Sequence, residues 1–165
     1  MSHILPGAFF RWCMSTDLSQ LIRGSRWGFA VLETIHILGF GVLLGGICLV
    51  DLSVLGFGMR QPAGRIVRDA TRWGLAGLAV AAVTGIPMFM SAAALYANSI
   101  PFLVKMIMLI ASVVLQIVLY KFPALLNGST AGKVMAAASL LCWFGIAYTG
   151  RAIAFEILIG IGIGS

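Results

Sequence analysis

Five ionisable residues fall within stretches of the chain that are otherwise apolar: Glu33, His36, Asp51, Lys105 and Arg151. On membrane-insertion scales a charge at a helix centre costs about 2.5–3.5 kcal/mol, so each of these needs a partner or a task. Glu33 and His36 are spaced i, i+3 and share one helix face. An imidazole there can carry a proton or ligate a metal, while Lys105 and Arg151 can hold acidic groups. A salt-bridged layer, Glu33 with Arg151 or Lys105, is the plainer use of the same residues, and snorkelling of the two cations is a third. Asp51 lies about five helical turns beyond Glu33, and a structural ion pair with Arg72 is expected for it.

The donors limit the metal chemistry. His36 is the sole histidine in an apolar stretch, since His3 lies at the far N-terminus. A haem held by two histidines is therefore excluded within one chain. A His/Met haem b stays open, with Met88 or Met90 and Met106 or Met108 near His36 in depth. Residues two apart point in different directions, so at most one of each pair faces a site; Met88 and Met106 stand with His36 as the candidate ligands. The same donors suit Cu(I), and methionine is also common packing filler. A quinone is the other candidate: His36 or Glu33 would exchange protons with its carbonyl, beside Phe102 or Trp143.

The elements that must position these residues follow from composition. Of 165 residues, 61% are hydrophobic and 10% charged, and the mean hydropathy is +1.05. A soluble fold of this size lacks the interior to hide so much apolar surface. The expectation is all-α: a polytopic membrane protein, a four-transmembrane-helix bundle behind a short N-terminal interfacial helix. Residues 1–26 form the interfacial segment and 27–165 the membrane domain, with spans at about 27–55, 73–96, 102–122 and 133–156. Ser15 or Thr16 caps the interfacial helix, which places Leu18, Leu21 and Ile22 on one face; Arg11, Arg23 and Arg26 reach toward headgroups. Met1–Phe10 lacks the basic start of a signal peptide. The tail from Ile157 to Ser165 either extends the last helix or frays.

The net charge of +6 does not form the basic stripe that nucleic-acid binding needs. Arg60, Arg65, Arg68, Arg72, Lys121 and Lys133 cluster instead in the links after spans one and three. By the positive-inside rule those links are cytoplasmic and both termini lie outside. Glu33, His36, Lys105 and Arg151 then converge near the outer leaflet. Rows of small residues, Gly41 and Gly45 in span one and Gly77, Ala81 and Gly85 in span two, favour close helix approach, within the chain or against other subunits. Cys13, Cys48 and Cys142 make no spaced pair. There is no phosphate-binding glycine loop, and no serine is placed to use His36 as a base, which argues against an autonomous enzyme.

The chain resembles an uncharacterised family of small bacterial four-helix membrane proteins, classified as a domain of unknown function. The resemblance rests on E-x-x-H-x-x-G (Glu33, His36, Gly39), Leu49-Val50-Asp51-Leu52, Thr84-Gly85, F-x-x-K-M (Phe102, Lys105, Met106) and Gly150-Arg151 with Ile153-Ala154. It runs from about Trp27 to about Phe155. It implies mainly a four-helix membrane fold and brings no established activity with it; with the basic links on the cytoplasmic side of a bacterial inner membrane, both termini are expected in the periplasm. A looser similarity is to copper-resistance and other haem-carrying membrane proteins, from which this chain departs by lacking their multiple histidines. The resulting expectation is a small membrane subunit or anchor handling electrons through haem b or quinone around His36. Two alternatives stand beside it: a cofactor-free structural or interaction subunit of a larger complex, and a small transporter or metal handler.

Overall fold

The computed structural model describes residues 7–57, 63–97 and 99–163. Among them the chain is helical throughout: α1 (Gly7–Ser15), α2 (Asp17–Gly24), α3 (Gly28–Leu55), α4 (Ala63–Ser91), α5 (Ala93–Ala97), α6 (Ile100–Lys121), α7 (Pro123–Leu126) and α8 (Thr130–Ile163). Four stretches are long and apolar enough to cross a membrane: Gly28–Leu55, Ile66–Ser91, Ile100–Lys121 and Thr130–Ile153. Lipid-facing helices keep large apolar residues on the outside, and Leu38, Val83, Ile107 and Leu141 are indeed more than half exposed. The chain is thus an all-α bundle of four membrane-length helices.

The boundaries differ from the sequence reading at three places. α4 begins at Ala63, well before Trp73, because the Arg-rich stretch continues the helix as its polar first turns. α4 stops at Ser91, and Tyr96 belongs to the separate short α5. The last helix carries on to Ile163, so most of the C-terminal tail extends it. Arg60 lies outside the described residues, as does His3.

α4 packs along α3, α3 along α8, and α8 along α6; α4 and α6 do not pack along each other. The α3–α4 seam owes its closeness to glycine. A Cβ on Gly77 would stand 2.6 Å from both Gly39 O and Leu43 N, and one on Gly46 would stand 2.9 Å from Ala70 O. Without a hydrophobic drive between helices in lipid, this backbone proximity and its dispersion contacts hold the pair. The expected row in span two is used as read, since Gly77, Ala81 and Gly85 all face α3. The expected row in span one is not: Gly41 and Gly45 have nothing within 4 Å, and Gly39 and Gly46 make the contacts instead. Helix α3 ends at Gly56, whose φ of +93° lets Phe57 N–H reach Leu52 O at 2.9 Å.

The N-terminal segment is two helices rather than one. Thr16 caps the second, its hydroxyl oxygen accepting from Ser19 N–H at 3.4 Å. Its buried face is Ser19 with Ile22; Ser19 Oγ donates to Met90 O at 3.2 Å. Leu18 and Leu21, expected beside Ile22, are exposed. The reason is that α2 docks its smallest polar residue onto the end of α4, which turns the leucines outward. Phe10 and Cys13 of α1 are buried against Ala93, with Phe89 and Met90 alongside.

Candidate functional site

His36 is set by the α3–α4 seam. Gly85 lies against the imidazole, so that a Cβ there would come within 2.9 Å of His36 Cε1. Ring and backbone touch because that position has no side chain. His36 Nδ1 is 2.9 Å from Ala81 O and 3.1 Å from Thr84 Oγ1. A carbonyl only accepts, so Nδ1 carries the hydrogen and donates it to Ala81 O. Thr84 in turn donates to Val80 O at 2.7 Å, which pins its oxygen beside the ring. In its neutral form the imidazole then has Nε2 left as an acceptor, and the same use of Nδ1–H orients metal-ligating histidines.

Nε2 belongs to a cavity of about 340 Å³ at the end of the bundle where α3 and α6 begin and α4 and the fourth span end. Helix α3 lines it with Phe29, Glu33, His36, Ile37 and Phe40; α4 with Gly85, Met88 and Phe89. Tyr96 comes from α5, and Phe102 and Lys105 come from α6. Helix α8 closes it with Ile146, Ala147, Gly150, Arg151 and Ile153. Glu33, His36 and Lys105 are half-buried, and Arg151 is exposed. Gly150 lies beside the lysine: a Cβ on it would be in ordinary contact with Lys105 Nζ, at 3.6 Å. The rest of the lining is apolar, with five aromatic rings among aliphatic side chains. Tyr96 and Phe102 stack at 5.1 Å, Phe89 and Phe102 at 5.5 Å, and Phe89 and Tyr96 at 5.9 Å. Phe10 of α1 braces Phe89 from behind at 6.3 Å. Burial, with the Glu33 charge second, pushes the Tyr96 phenol above its ordinary range, so it remains a neutral O–H.

Four of the five ionisable groups singled out in the sequence, Glu33, His36, Lys105 and Arg151, thus line one cavity. No ion pair joins Glu33 to Lys105 or Arg151 among the described residues, so the salt-bridged layer does not form. Of the two methionines, Met88 lines the cavity, but Met106 is 38% exposed on the outer face of α6. Lys105, the residue before it on α6, lines the cavity, whereas Met106 does not. Met88 in turn sits one turn beyond Gly85 on α4, the wall against which His36 packs. Among the described residues no three of His, Cys, Asp and Glu gather as a metal site. Trp143 is one layer deeper than expected, buried in the core and 6.1 Å from Phe40.

Asp51 is also placed differently. It is wholly buried, and Gln116 Nε2 donates to both its oxygens at 3.1 Å. Ser139 is its other partner. Arg72, the expected partner, is exposed. Asp51 faces the α6–α8 side of α3, whereas Arg72 sits on the solvent-side turns of α4. Tyr96, Phe89, Gly85, Gln116 and Ser139 were not singled out by chemistry. Gly85 carried a signal, as part of both a small-residue row and the Thr84-Gly85 motif; the partners on α6 and α8 carried none.

Residues 9–156 match the sequence model of a family described as a family of unknown function, DUF6644. No curated protein and no solved structure matches the chain. The looser likeness to copper-resistance and haem-carrying proteins gains no support from either comparison.

Proposed function

The chain belongs to the DUF6644 family, and we propose that its cavity is the binding site for the ring of a lipid-soluble quinone, in a small membrane subunit that passes electrons to a partner. One observation carries the reading: four ionisable groups from three apolar helices line an aromatic-walled cavity and leave their charges unpaired with one another. In lipid such charges are costly. A ligand with oxygen atoms at two ends of a flat ring offsets that cost.

The roles follow from the geometry. His36 Nε2 accepts the proton of a quinol hydroxyl or, once protonated, donates to a quinone carbonyl. Glu33, one turn away on the same face, takes that proton onward. Lys105 offers its ammonium to the second oxygen, with Arg151 at the rim. The Phe89–Tyr96–Phe102 stack supplies a flat apolar wall for the ring. The seam between α4 and α6, bridged by side chains and not by packed backbones, is the route from the bilayer. Both termini on the cavity side, facing the periplasm of a bacterial inner membrane, belong to the same proposal and rest on the basic links at the other end.

Haem b is the weaker form of the electron-transfer reading. Of the two candidate methionines Met88 alone lines the cavity, and α6 contributes Lys105 to it rather than Met106.

The test is binding of a short-chain ubiquinone to protein in nanodiscs, read by equilibrium dialysis and by thermal shift. Saturable binding is expected, weakened at least tenfold in His36→Ala and in Lys105→Met. A ligand at one hundred times its Kd adds about 2.7 kcal/mol of stability. Absence of binding, or binding indifferent to both substitutions, would refute the proposal. A Soret band in the purified protein that disappears in His36→Ala would replace quinone with haem.

A further inference from the structure

The core between α3, α6 and α8 holds a second polar group that the cavity does not use. We propose that Asp51 is a proton-binding site, with Gln116 and Ser139 as the residues that hold its carboxyl in either charge state. The proposal does not depend on the ligand of the cavity. Asp51 and His36 are 15 positions apart on α3, or about 22 Å along a helix.

The burial comes first. Asp51 is 0% exposed, Ser139 1% and Gln116 7%. Around them lie Val50, Val54, Leu119 and Ala136, all buried and apolar. No lysine or arginine among the described residues reaches the carboxyl. An ionised carboxylate in such a place has neither water nor a counter-charge, and desolvation without a paired cation is the unfavourable case. A bound cation removes the charge.

The hydrogen-bond pattern identifies the cation. Gln116 Nε2 gives its hydrogens to both Asp51 oxygens at 3.1 Å and to Ser139 Oγ at 2.8 Å. A metal ion needs oxygen lone pairs converging on one point, whereas here amide hydrogens point at the carboxyl. A proton fits. With Asp51 ionised, Ser139 accepts from Gln116 and donates its own O–H to the carboxylate. With Asp51 protonated, the new O–H donates to the second lone pair of Ser139 Oγ. The serine hydroxyl then turns to the carbonyl one helical turn back, an ordinary bond for a helical serine. One hydroxyl rotation converts one state into the other, and no heavy atom moves.

Two more buried polar atoms lack a partner, Gln116 Oε1 and Trp143 Nε1. Trp143 stands one helical turn from Ser139 on α8, on the side toward the cavity. An acceptor and a donor of this kind suit an ordered water. On the other side, Tyr120 hydrogen-bonds Thr71. The titratable groups whose fields reach Asp51 are Cys48 on α3 and Tyr120 on α6. Nearby, α4 contributes the apolar Ile66 and Ala70.

The experiment is infrared spectroscopy of the full chain in lipid, titrated with acid and base in potassium and in sodium buffers. A carboxylic-acid C=O band is expected that titrates with pH, is lost in Asp51→Asn and persists in Glu33→Gln. Gln116→Leu should shift that band by removing its hydrogen-bond donor, which keeps the assignment testable if Asp51→Asn folds poorly. An acid band unaffected by Asp51→Asn and Gln116→Leu would overturn the proposal. So would a wild-type spectrum in which no carboxyl is protonated at neutral pH. A band that sodium abolishes and potassium does not would assign the site to a metal cation instead.

Discussion

Substituting Gly77 by alanine adds a single methyl group where the structure has no space for it. The new Cβ would lie 2.6 Å from Gly39 O and from Leu43 N, both backbone atoms of α3, whereas ordinary contact begins at 3.4 Å. The helices must part by roughly the difference, about 0.8 Å, because neither atom belongs to a movable side chain. Overpacking of this kind costs about 1–3 kcal/mol. The damage extends along the seam. The next turns of α4 carry Ala81 O, 2.9 Å from His36 Nδ1, and Gly85 against the imidazole. Spreading the helices by that amount lengthens the histidine hydrogen bond beyond useful range, so the imidazole loses its fixed orientation. The assay is thermal unfolding in a mild detergent, followed by quinone binding on the folded fraction. A drop of several degrees in Tm is expected for Gly77→Ala, together with weaker binding. The control is Gly41→Ala, where nothing lies within 4 Å, and wild-type behaviour is expected. Equal stability of the two variants would refute the close approach of α3 and α4, and with it the account of how His36 is held.

Further outcomes follow from single contacts. Gly85→Ala pushes against the edge of His36, a movable side chain, so it should weaken quinone binding several-fold while leaving Tm within about 1 kcal/mol equivalent of wild type; unchanged binding would remove Gly85 from the site. Gln116→Leu deprives Asp51 of two hydrogen bonds in the closed core and should cost about 1–3 kcal/mol. Arg72→Ala on an exposed turn should stay within about 0.5 kcal/mol. The reverse order in a thermal-stability assay would restore Arg72 as the partner of Asp51. Tyr96→Phe keeps the aromatic stack and removes the phenol, so stability should hold; loss of quinone affinity would show that the O–H bonds the ligand.

The composition and hydropathy of the chain determined its class. Apolar runs of membrane length leave helices as the way to satisfy backbone groups, and basic links mark the ends. Sequence also brought Glu33, His36, Lys105 and Arg151 to one depth, because alternating helix direction converts chain position into height. Which way each residue faces was decided by tertiary packing. Gly41 and Gly45 stand four apart on α3 and Gly39 and Gly46 seven apart, and only the docked α4 selected the second pair over the first. The partner of Asp51 lay on the face toward α6 and α8, and nothing local distinguishes that face from the one toward Arg72. On α6 the docked helices left Lys105 lining the cavity and Met106 exposed. Tyr96 entered the site because α4 stops at Ser91, and a separate helix carries that ring back over Phe89. Height is a property of one helix and can be counted along the chain. Azimuth depends on which neighbour approaches, and that is settled only when the backbones meet.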